Sequence, residues 1–134
     1  MRLLPLLLLL LCAGCGEMTP HSKTDVLNTT LNGYANALRW GDFEQAMTYV
    51  DPEAQIAHPM TALDKERYKQ VRVASYNDRP PVPVAKGEIL QVVEIGLVNI
   101  NTQTERTIID RQQWKFDEKS KHWHVSALPD ITQH

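Results

Sequence analysis

Cysteine is nearly missing from this chain. Its two copies stand together as Cys12-Ala13-Gly14-Cys15, and nothing beyond them carries a thiol. A disulfide framework or a thiolate metal site in the body of the chain is therefore excluded. Glycine is scattered: no phosphate-cradling loop is present, nor a Gly-x-Ser-x-Gly elbow, nor a His-Glu-x-x-His helix. There is no excess of one charge. Fourteen Lys and Arg face sixteen Asp and Glu, for a net charge of −2 without any basic block. Nucleic-acid binding has no electrostatic footprint here. No internal repeat stands out. The one long apolar run, residues 3–11, is leucine interrupted only by Pro5. It is too short for a bilayer, which needs ~20 apolar residues.

What is present begins with Met1-Arg2, one positive charge ahead of that leucine run. Small residues, Ala13 and Gly14, follow it. A charged start, a short apolar core and small residues are the layout of a secretory signal peptide. The stretch Leu11-Cys12-Ala13-Gly14-Cys15 resembles a bacterial lipobox. Cys12 departs from the leucine usual at its position. The resemblance implies cleavage before Cys15, with Cys15 becoming the acylated first residue of the mature protein. Two or more acyl chains anchor a protein stably. Gly16, not aspartate, follows Cys15, and by the Gram-negative sorting rule this implies the outer membrane, facing the periplasm. The alternatives are a leucine-rich helix retained on the folded protein, or secretion without a lipid.

The expected organisation is a signal peptide at 1–14, a lipidated tether at 15–23 and a single domain at 24–134. In the domain, Val26, Leu27, Leu31, Tyr34, Ala35 and Leu38 recur at helical spacing, and this predicts a helix over 24–40 that Gly41 ends. Asp42 and Gln45 have capping-box spacing for a second helix burying Phe43, Ala46, Met47 and Val50, which Asp51-Pro52 closes or kinks. Thr61 and Asp64 open a third helix. The period then falls to two. Strands are expected over 71–76, 87–100, 104–116 and 122–128, with a Pro-rich loop or irregular edge over 77–83. The last three strands, joined by short turns, form an antiparallel meander. The fold class is α+β, with helices on one face of a curved antiparallel sheet.

The opening helix, the step Gly41-Asp42, the following Phe43, Ala46 and Met47, and the closing "KHWHVSAL" resemble the nuclear transport factor two-like, or cystatin-like, cone fold over about 24–128. The resemblance implies a cone that is often a ligand pocket, and an outer sheet face that often pairs with a second copy. Some members are isomerases, dehydratases or cyclases.

Several side chains are candidates within such a cone. Asp110 shares a strand face with Ile108, Gln112, Trp114 and Phe116, where burial shifts an acid toward neutrality and makes it a general base. The plain alternative is an edge acid paired with Arg106 or Arg111, or simply solvated. Tyr34, Trp40, Trp114 and Trp123 are candidate pocket walls, or ordinary packing. His122 and His124 share a face and could chelate a metal, but a zinc site needs three or four ligands. His58 is the distant third. Residues 89–100 are apolar on both faces, with Leu90, Val92 and Val98 on one and Val93, Ile95 and Leu97 on the other. A strand buried on both sides needs a cover, such as a second chain or the Pro-rich loop. Glu94 is a partly buried acid or part of a dimer face.

No cofactor is expected. The leading expectation is a membrane-anchored, non-catalytic binding or assembly module facing the periplasm. Its partners are the membrane through the lipid, and a second copy or an envelope protein through the sheet face. The alternative is a small-ligand carrier or an enzyme that uses the cone interior.

Overall fold

The structure, a computed structural model, describes residues 20–133. The cleavage region and Cys15 lie outside the described residues, as does most of the expected tether. The elements run α1 (Pro20–Arg39), α2 (Phe43–Met47), α3 (Pro52–Ala57), α4 (Ala62–Lys69), β1 (Val71–Asp78), β2 (Val82–Ala85), β3 (Glu88–Asn99), β4 (Glu105–Asp117) and β5 (His122–Val125). Helices followed by a strongly curled antiparallel half-barrel make this an α+β fold. It is compatible with the nuclear transport factor two-like and cystatin-like architectures.

α1 starts at Pro20, within the stretch expected to be tether. Proline is tolerated in a first turn, where its missing N–H has no intrahelical partner to lose. The helix ends as its sequence predicts. Gly41 adopts φ +70, and the N–H groups of Gly41 and Asp42 reach back to the carbonyls of Leu38 and Ala37. This is a Schellman close, and the left-handed residue it needs is glycine. Asp42 then accepts from the Gln45 N–H at 2.9 Å and starts α2.

One expectation is corrected. Asp51-Pro52 does not close a helix; it opens one. Asp51 accepts from the Glu53 N–H at 3.1 Å, and Pro52 takes the first helical position of α3. The residue before proline is pushed toward extended backbone, which suits an N-cap. Of the two readings of the Pro-rich stretch, the irregular edge is found at its end. Val82–Ala85 is a strand, with Pro83 opposite Ile89. It lies at the sheet edge, where a strand that lacks one donor is tolerated.

The sheet order is β1-β3-β4-β5, with β2 also pairing β3. β3 and β4 pair without a register shift from Glu88↔Lys115 to Val98↔Glu105. The inward face therefore reads Ile89, Gln91, Val93, Ile95 and Leu97 on β3, and Ile108, Asp110, Gln112 and Trp114 on β4, all buried. α1 lies across this concave face, with Leu31, Tyr34, Ala35 and Leu38 turned into it. The outward face of β3 is less covered than its apolar pattern suggests. Val98 is buried, but Leu90 and Val92 are only half-buried and Glu94 is exposed. Among the described residues, no second layer covers this side.

Candidate functional site

The concave face brings one polar cluster into an otherwise apolar core. Alternation on β4 places Asp110, Gln112 and Trp114 on the inward side. Gln112 sits at the centre and uses its whole amide. It donates to the Tyr76 hydroxyl oxygen at 2.9 Å and to Asp110 Oδ2 at 3.0 Å. Its carbonyl oxygen accepts from Trp114 Nε1 at 3.1 Å. A buried amide so satisfied costs little, whereas removing one partner strands the rest.

Burial raises the Asp110 carboxyl to about 6, and the Gln112 hydrogen bond opposes that rise. Burial also raises the Tyr76 hydroxyl, to about 12, again with Gln112 opposing. Tyr34 is raised well above the usual tyrosine range, by burial first and then by the nearby Asp110 carboxylate. Its hydroxyl is buried without a hydrogen-bond partner among the described residues. Arg39 closes this end of the cluster, its guanidinium 5.2 Å from the Tyr76 ring centre.

The four aromatic candidates are not brought together. Tyr34 and Trp114 are fully buried and meet edge to face at 5.2 Å, filling the space between α1 and the sheet. Trp123 packs against Phe116 at 5.3 Å on the β4–β5 side. Trp40 is 86% exposed. With Phe43, Met47, Met60, Tyr68 and Lys65 it lines a surface cleft of about 660 Å³. A neighbouring cleft of about 420 Å³ runs between α3, α4 and residues 126–132, and His58 lies there. His122 is exposed and His124 half-buried. Among the described residues, no three His, Cys, Asp or Glu side chains gather as metal ligands, and no helix is long and apolar enough to cross a membrane.

Sequence reasoning placed Asp110 on the right face but missed its partners Gln112 and Tyr76 as a cluster. Gln112 was legible, because a glutamine two residues from an aspartate and from a tryptophan shares their face. It also missed the C-terminal segment. Ile131 is buried in the core. The Tyr68 hydroxyl donates to the Pro129 carbonyl at 2.8 Å, and Arg106 donates to the carbonyls of Ile131 and Gln133. Arg106 is therefore a clamp on this segment and makes no ion pair with Asp110. No protein-family model matches the chain, and no curated protein matches it significantly.

Proposed function

We propose that this chain is a lipid-anchored protein of a bacterial cell envelope whose α+β domain is a binding or assembly module. Cys15 is the anchor in this reading, and the residues around it are its support: a leucine run, then Ala13 and Gly14. Gly16 after Cys15 favours the outer membrane, with the domain in the periplasm.

One observation carries the binding-module reading. The space under α1 is occupied by Tyr34, Leu38, Gln112 and Trp114, each at most 2% exposed. Clefts of about 420 and 660 Å³ lie instead on the outside, around the short helices. Trp40, 86% exposed, lines the larger cleft, and Ile56 and Leu63 stand on α3 and α4 at 82% and 59%. Apolar groups left in water on the helices that frame these clefts suit contact with another molecule.

Intact-mass measurement of protein extracted from membranes tests the anchor and the cut site together. The expected mass is that of a chain starting at Cys15 and carrying acyl groups, recovered with a partner in stoichiometric amount. Cys15→Ser is expected to leave an uncleaved, unlipidated precursor, and Cys12→Ser to be nearly silent. Normal membrane attachment of Cys15→Ser overturns the anchor. A solitary protein in gentle extracts overturns the module.

A further inference from the structure

β4 is much longer than the strand beside it. β5 pairs only with Trp114, Lys115, Phe116 and Asp117, which leaves the first two-thirds of the β4 outer edge without a strand among the described residues. The direction of each backbone group there follows from a few bonds. The Phe116 N–H reaches the Gly87 carbonyl, toward β3. The register is unbroken, so even positions of β4 point toward β3 and odd positions point away. The Gln113 carbonyl obeys this, accepting the Ser126 N–H on the outer edge at 3.0 Å. Thr107, Ile109 and Arg111 are the outward positions between Glu105 and Gln113.

Ile109 is occupied in a telling way. The side-chain amide of Gln133 donates to the Ile109 carbonyl at 3.1 Å, and its oxygen accepts from the Ile109 N–H at 3.3 Å. These are the two bonds that a residue of a neighbouring strand makes in a hydrogen-bonded antiparallel pair. A primary amide thus stands where a peptide group fits. On either side, the outward N–H and C=O of Thr107 and Arg111 have no hydrogen-bond partner among the described residues. A cleft of about 470 Å³ runs beside this edge, with Ile109, Asp110 and Arg111 on one wall and Ser126, Leu128 and Asp130 on the other.

We infer that this edge docks an extended segment of a partner polypeptide, which adds to β4 at Thr107, Ile109 and Arg111 and displaces the Gln133 amide. Free edge groups are a template for such addition. The cleft also sets the chemistry of the segment. Side chains alternate across a strand, so the residue turned inward meets Asp110 and is a hydroxyl or a base. The residue turned outward lies beside Ile109, which is 41% exposed, and is β-branched or aliphatic. The inference rests on the reading of the domain as a binding module, but not on its lipid anchor.

A short Thr-Val peptide with a central lysine is the probe, added to the full chain and followed by backbone-amide NMR and hydrogen exchange. Slowed exchange is expected at the Thr107, Ile109 and Arg111 amides. Gln133→Ala removes the competing amide and is expected to tighten binding about tenfold, as two bonds of modest net strength allow. The same peptide, N-methylated at alternate residues, is expected not to bind. Equal binding of the methylated peptide overturns the inference, as does protection confined to β1 or to the helices. Edge protection that appears without peptide and grows with protein concentration assigns the edge to a second copy and overturns it too. A native partner that co-purifies but leaves the β4 amides unprotected overturns this inference alone. The absence of any partner overturns the module reading beneath it.

Discussion

The concave core and the α2–α4 region are built on different terms. Between α1 and the sheet, nine large side chains are less than 2% exposed, and β3 and β4 hold a continuous ladder. α3 and α4 have no fully buried residue, with Ala54 and Tyr68 only half-buried against the core, and α2 fully buries only Ala46. Helices of five to eight residues are too short to persist on propensity alone. Their ends are held by side chains instead. Asp42, Asp51 and Thr61 each take an orphan N–H, and Thr61 with Asp64 completes a capping box. The difference teaches where the stability lies and where it is lent. The sheet and α1 carry the global stability, while the short helices open locally at lower cost and present Trp40, Ile56 and Leu63 to solvent.

The comparison breaks most readily at its two tryptophans and the groups around them. Trp114→Ala removes a fully buried ring and three-way packing with Tyr34 and Gln112, and is expected to cost ~3–5 kcal/mol. Urea unfolding measures it, and a loss below ~1 kcal/mol would mean the core is not the rigid partner it looks.

The next largest effect is pH-dependent. The folded-state carboxyl of Asp110 lies at about 6, above its ordinary 3.8. The folded protein therefore binds more protons than the unfolded chain across that interval, and the Asp110 contribution to stability falls as pH rises through it. The loss approaches ~3 kcal/mol at most. Asp110→Asn is expected to remove this slope, so that the variant gains on the parent between about pH 4 and 6. Parallel stability curves for the two proteins across that window would show that Asp110 is not desolvated by the core.

A smaller and local effect is expected at the helical side. Thr61→Ala deletes the α4 cap, at a typical cost of about 1 kcal/mol. Hydrogen exchange should speed up in α4 while the β3 amides stay unchanged. Equal acceleration in β3 would join the two regions into one cooperative unit. Trp40→Ala, with a side chain already in water, should move stability by no more than about 0.5 kcal/mol. A loss comparable to that of Trp114→Ala would place Trp40 in the core.

Much of this was legible in residues that act on their neighbours. Gly41, Asp42 and Thr61 do what their positions predict, because a cap is settled within three or four residues. The β4 alternation that put Asp110 beside Trp114 needed only period two. The Asp51-Pro52 step was misread because the same pair that ends one helix can start the next. The strand at Val82–Ala85 was hidden, since its pairing depends on Ile89 and Leu90 of β3 and not on its own prolines.

By itself, then, the sequence determined the order and type of the main elements, the inward face of the sheet and the capping chemistry. Tertiary structure alone decided that Trp114 is core while Trp40 is surface, that Gln112 joins Tyr76 to Asp110 across 36 residues, and that the C-terminal segment, through Ile131 and Gln133, lies along β4. The physical reason is range. Caps and alternation are set by covalent neighbours, whereas burial, acidity and an open strand edge depend on which distant segments arrive.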